Sequence, residues 1–108
     1  MRNKIEEGQL FAYYGGLLSE HQQEVLRLYY DCDMSLAEIS ELQNTSRQAV
    51  RDVIVRCGDK LLDFEQKLGL VEKIKKVASD FEANIETGNY NTEQIGRLNL
   101  ILKEIKEI

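Results

Sequence analysis

The stretch Met34-Ser-Leu-Ala-Glu-Ile-Ser-Glu-Leu-Gln-Asn-Thr-Ser-Arg-Gln-Ala-Val-Arg-Asp-Val-Ile-Val-Arg-Cys57 decides the fold. It reads as two helices joined by a tight turn. Ser35-x-x-Glu38 is a capping box that opens the first helix, with Met34 and Ile39 at the two positions of a hydrophobic staple. Leu36, Ile39 and Leu42 then share one face at three-residue spacing. The helix is expected to end near Gln43 and Asn44, because Asn is the residue after Gly that best tolerates a left-handed C-cap. Thr45-x-x-Gln48 reads as a second capping box that starts the next helix almost at once. So short a turn between two short helices is the helix-turn-helix signature.

The second helix has two faces. Ala49, Val50, Val53, Ile54, Cys57 and Leu61 form one stripe, expected to pack on the first helix. Ser46, Arg47, Gln48, Arg51 and Val55 lie on the other. Arg47, Gln48 and Arg51 are long polar side chains at the N-terminal end, the part of such a helix that enters a major groove. Arg pairs with guanine edges there and Gln with adenine. Ser46, Arg47, Gln48 and Arg51 are therefore the candidate base-reading residues, with Arg56 and Lys60 as candidate phosphate contacts. The plain alternative is a helical hairpin whose arginines only solubilise a surface.

Ser35-Leu-Ala-Glu-Ile-Ser40 followed by Thr45-Ser-Arg-Gln-Ala-Val-Arg-Asp-Val-Ile-Val-Arg56 resembles the YlxM family of small bacterial proteins and, more distantly, region 4 of RNA polymerase sigma factors. Tyr13-Tyr-Gly-Gly-Leu-Leu-Ser-Glu-His-Gln-Gln23, Leu28-Tyr-Tyr-Asp-Cys-Asp-Met-Ser-Leu36 and the segment Leu61 to Leu68 fit the YlxM pattern too. The resemblance runs from about Gly8 to about Glu72. Two positions depart from it: Asn44 stands where such families usually carry Gly, and Ser40 where they carry Ala. Both are small enough to keep the geometry. The resemblance implies a regulatory helix-turn-helix protein linked to the signal recognition particle pathway, with that particle's GTPase as an implied partner.

Composition sets bounds. The 108 residues contain no Pro and no Trp, and apolar residues recur at three- and four-residue spacing. An all-α fold is expected: a wingless helix-turn-helix bundle like sigma region 4, with a C-terminal helical extension. The expected division is a helix-turn-helix domain over 1–68 (motif about 35–57) and a helical hairpin over 69–108. No apolar run approaches bilayer length, and no charged leader precedes an apolar segment, so a cytoplasmic protein is expected. Cys32 and Cys57 are far apart and read as reduced thiols, Cys57 on the core stripe.

The net charge of −5 argues against a strong grip on phosphates. Residues 1–44 carry three basic side chains against eight acidic. Residues 45–60 carry Arg47, Arg51, Arg56 and Lys60 against Asp52 and Asp59, the only net-positive window; residues 61–108 carry seven against nine. That pattern suits a local site rather than a basic domain.

The flanking segments read as helices. Residues near 4–16 form an opening helix broken by Gly15-Gly16, and Ser19-x-x-Gln22 caps a second that runs to about Asp31. Its buried face is expected to hold Val25, Leu26, Leu28 and Tyr29, with Cys32 at its margin. The pairs Tyr13-Tyr14 and Tyr29-Tyr30 read either as stacking platforms for bases or, more commonly, as half-buried packing. The recognition helix should continue to Leu68 and end at Gly69. A following helix presents Val71, Ile74, Val77, Ala78, Phe81 and Ile85 on one face, and the lysines Lys73, Lys75 and Lys76 read as a solvated surface. After a loop at 87–91, Asn91 and Gln94 cap the last helix, with Tyr90 and Ile95 fitting a staple.

That last helix carries Ile95, Leu98, Ile101, Leu102, Ile105 and Ile108 in one stripe, too apolar to be left in water. It either folds back on the preceding helix or makes an interface with a second chain or another partner, and the two can coexist. Ile95, Leu98, Ile101, Leu102 and Ile105 are the candidate interface residues.

Catalytic and metal patterns are absent from the chain. His21 is the only histidine, no ligand spacing suits zinc, and no phosphate loop, dinucleotide fingerprint or nucleophile elbow occurs. No enzyme activity, cofactor or metal is expected. The expected partners are DNA first, RNA next, the signal recognition particle GTPase, and a second copy.

Overall fold

Caps and turn residues mark out the helices one by one. The computed structural model describes residues 3–107. The described chain is all-α: α1 (Lys4–Tyr14), α2 (Glu20–Leu26), α3 (Leu36–Leu42), α4 (Arg47–Leu68), α5 (Leu70–Thr87) and α6 (Thr92–Lys106). A 3₁₀ turn at Gly15–Leu17 follows α1, and a π-helical turn at Arg27–Asp31 continues α2. The chain divides into two compact units, Met1–Leu68 and Gly69–Ile108.

In the first unit, α4 is the helix against which α1, α2 and α3 all pack. Its inward residues Val50, Ile54, Cys57 and Leu61 are all but inaccessible to solvent, and Leu10, Tyr14, Val25, Leu26, Leu28 and Ile39 from the rest of the unit are buried as well. Each large side chain buried this completely stabilises by about 1.5–3 kcal/mol. Long-range hydrogen bonds tie α1 into the unit, two of them through tyrosine hydroxyls. Tyr14 Oη donates to Glu65 Oε1 at 2.6 Å, near the end of α4. Tyr30 Oη donates to Glu7 Oε2 at 2.9 Å, so the buried Glu7 carboxylate has a partner. A Cβ at Gly15 would lie 2.8 Å from the Phe11 ring, so a larger residue there would force that ring to move.

Tyr14, Tyr29 and Tyr30 therefore pack rather than present flat faces. Tyr14 is 2% exposed. Tyr29 and Tyr30 meet edge-on at 5.2 Å, and Lys4 Nζ sits 4.2 Å above the Tyr29 ring.

Cys32, expected at the margin of the buried face, is exposed. The reason is the π-helical turn just before it, which holds more residues per turn than an α-helix and so rotates the residues after it. The Cys32 Sγ instead accepts a hydrogen bond from Arg27 Nη1 at 3.4 Å. Leu42 departs from expectation as well. It is 62% exposed although Ile39 is fully buried. Three-residue steps fall short of a full turn by about 60°, so a seven-residue helix that points Ile39 inward turns Leu42 away.

The second unit is α5 and α6, which pack on each other and are linked by Gly88–Asn91. Gly69, at φ 60°, is the left-handed residue between α4 and α5. Asn91 and Gln94 form a complete capping box on α6. Lys106 Nζ pairs with Glu82 Oε2 at 3.2 Å. Val71, Ala78 and Leu102 are buried, but Val77, expected on the inner face of α5, is 55% exposed. Ile108 lies outside the described residues.

Burial, and then the hydrogen bond to Glu7, push the Tyr30 phenol well above its ordinary value, and burial raises the Cys57 thiol too. Groups raised on folding stabilise below their unfolded pKa and lose that contribution as pH climbs through the folded one. Stability measured by urea denaturation under reducing conditions is therefore expected to fall as pH passes about 9, with Tyr30 adding to the decline above about 10. Tyr30→Phe should flatten that decline; a decline of unchanged steepness would refute Tyr30 as its source.

Candidate nucleic-acid interface

The α3–turn–α4 segment is built by local hydrogen bonds. Ser35 and Glu38 make both halves of a capping box on α3. At the other end Asn44 takes φ 52°, its N–H donates to Glu41 O, and the Thr45 N–H donates to Ser40 O at 2.9 Å. That pair of bonds around a left-handed residue is a Schellman closure, here with Asn in the position usually held by Gly. Ser40 fits where a smaller Ala was expected because its hydroxyl donates to Ala37 O at 2.7 Å.

The expected Thr45–Gln48 capping box does not form. The Schellman closure commits Thr45 to α3, so capping moves on by one residue, and Ser46 Oγ accepts from the Ala49 N–H at 3.0 Å. Gln48 turns instead to Asp52, its Nε2 donating to Oδ1 at 2.9 Å.

Ser46, Arg47, Gln48, Arg51, Arg56 and Lys60 are all exposed. Their arrangement around α4 is less simple than a basic face. At about 100° per residue, Arg47 and Arg51 fall on one flank of the exposed surface, and Arg56 and Lys60 on the opposite flank. Between them runs a ridge of Gln48, Asp52, Val55 and Asp59. The two acids on that ridge lower the net charge of the window, but a charge count does not show that they lie between the basic flanks.

None of Arg47, Arg51, Arg56 and Lys60 has an ion-pair partner among the described residues. The two described basic residues that precede them do. Lys4 pairs with Asp33 at 2.7 Å and Arg27 with Glu24 at 2.8 Å. The hydrogen bond from Arg27 holds the Glu24 carboxyl below its ordinary range, and that from Lys4 does the same for Asp33. The described cations of the first unit without an ion-pair carboxylate thus gather on α4 between Arg47 and Lys60.

The candidate interface residues of α6 are not equivalent. Leu102 is buried, Leu98 and Ile105 are half-buried, and Ile95 and Ile101 are exposed at 36% and 46%. Among the described residues no group of His, Cys, Asp and Glu could hold a metal ion. No described helix is long and apolar enough to cross a membrane.

This arrangement has relatives. A family described as "Putative helix-turn-helix protein, YlxM / p13 like" (UPF0122) matches residues 1–103. A UPF0122 protein of Clostridium acetobutylicum is 53% identical over 76 residues, covering 70% of this chain and 66% of that protein. One from Clostridium novyi is 47% identical over 89 residues, covering 82% and 77%. One from Clostridium botulinum is 51% identical over 73 residues, covering 68% and 67%. With the family match extending over almost all of the sequence and relatives near half identity, the chain belongs to the UPF0122 family of YlxM/p13-like helix-turn-helix proteins.

Proposed function

We propose that this chain is a cytoplasmic regulatory protein that binds duplex DNA through the first turns of α4. The observation that carries the reading is the exposed set Arg47, Gln48 and Arg51 at the start of the second helix of a capped helix-turn-helix. A helix laid in a major groove with its ridge toward the bases turns its flanks toward the two sugar–phosphate walls. Arg47 and Arg51 then approach one wall or the nearest base edges, and Arg56 and Lys60 the other wall. Ser46 and Gln48 stand closest to the groove floor with Asp52, which as an acceptor suits the amino group of cytosine.

A second reading is favoured by the acidic balance. The −5 charge and the carboxylates on the α4 ridge oppose sequence-independent approach to a polyanion. In this reading the helix-turn-helix is a scaffold for a protein or RNA partner, and the family resemblance points to modulation of the signal recognition particle GTPase. Co-elution with that GTPase, or a change in its GTP hydrolysis, would support it.

Fluorescence anisotropy against labelled duplex from the protein's own gene region, at low and physiological salt, separates the two. Binding should persist at physiological salt, and Arg47→Ala or Arg51→Ala should each weaken it by about 1–3 kcal/mol. Unchanged affinity in both variants would sink the base-reading assignment. Asp59→Asn should strengthen binding to unrelated duplexes severalfold at low salt, by removing a charge between the basic flanks; a decrease would refute that geometry.

A further inference from the structure

The two-helix unit has little interior of its own. Val71, Ala78 and Leu102 are its only buried residues among those described. Segments of about 40 residues usually need a disulfide, a metal or association with other chains to hold together. Both cysteines lie outside this unit, and no metal-holding group occurs among the described residues. Its exposed apolar residues offer a third route, association with a further surface.

The pattern on α6 says how. Ile95, Leu98, Leu102 and Ile105 recur at steps of three, four and three, and Leu102 in that seam is buried. Gln94, Leu98, Ile101 and Ile105 recur at steps of four, three and four beside it. Both spacings are those of a coiled-coil seam. The two seams share Leu98 and Ile105 and form one broad stripe, whose Ile101 edge stays exposed. Ile101 stands 46% exposed, and with Tyr90, Gln94, Arg97 and Leu98 it lines a shallow, almost wholly apolar groove.

Charge indicates the occupant. Residues 69–108 carry six basic and seven acidic side chains, and residues 92–107 three of each. So balanced a surface shows no preference for a strongly charged partner, and two copies meet without like-charge repulsion. Size indicates that both helices take part. A stable homodimer buries roughly 800 Å² per partner, more than α6 offers alone at about 22 Å long. On α5, Leu70 and Val77 lie seven residues apart and are 42% and 55% exposed, which adds apolar surface.

We propose that the α5–α6 unit is a homodimerisation element. The open Leu98–Ile101–Ile105 seam and the apolar flank of α5 pack against the same surfaces of a second copy, a self-complementary two-fold contact. The proposal stands independently of what α4 binds.

Analytical ultracentrifugation of the full chain at micromolar concentration tests it without nucleic acid. The expected mass is twice the 12.5 kDa of the chain. Ile101→Glu should weaken self-association roughly tenfold or more while helical circular dichroism is retained. Leu100→Glu, at an exposed position outside both seams, should leave the dimer intact. If Ile101→Glu loses helicity, the milder Ile101→Gln decides by the same measurement. A wild-type monomer, or a dimer indifferent to Ile101 substitution, overturns the proposal. Neither result bears on DNA binding, which Arg51→Ala tests separately and which should leave the mass unchanged.

Discussion

Burial of the Val50–Ile54–Cys57–Leu61 stripe is the interaction on which the first unit depends. These side chains are the part of α4 that α1, α2 and α3 enclose, so they set the rotation of the helix about its own axis. Turning α4 by one residue would bring much of that stripe into water, at a cost of several kcal/mol. The exposed side chains inherit this constraint. Arg51 points where it does because Val50 and Ile54 cannot point elsewhere.

The helix ends were the most legible part of the chain, because caps are written in neighbouring residues. Ser19–Gln22, Ser35–Glu38 and Asn91–Gln94 each form the reciprocal box their spacing implied, and Asn44 adopts the left-handed turn. The one box that failed, Thr45–Gln48, lost a competition that spacing does not reveal: the Thr45 N–H was already used by the Schellman closure. Contacts across the fold left no trace in the sequence. Nothing about Tyr14 or Glu65, 51 positions apart, announces their hydrogen bond, and the pairing of Tyr30 with Glu7 depends on how α1 crosses the unit.

The candidate site was legible as a set of residues and obscure as an arrangement. That Arg47, Gln48 and Arg51 face outward follows from the apolar stripe opposite them. That Asp52 and Asp59 lie between two basic flanks follows from the same helical spacing, but a count of charges does not show it. Likewise the single apolar stripe of α6 divides, in three dimensions, into a seam with Leu102 buried and another with Ile101 exposed. Net charge and hydropathy average over such differences, whereas a docking surface is made of them.

The π-helical turn at Arg27–Asp31 has a consequence for sequence variation in this region. Such a turn is equivalent to one surplus residue accommodated inside a helix. It lets the helix deliver Tyr30 to Glu7 and still hand the chain over at Met34, whose N–H bonds back to Leu28 O at 3.0 Å. A relative that lacked one residue between Arg27 and Asp31 would regain regular α-helical geometry there. It would also lose the phase that joins α1 to the entry of α3.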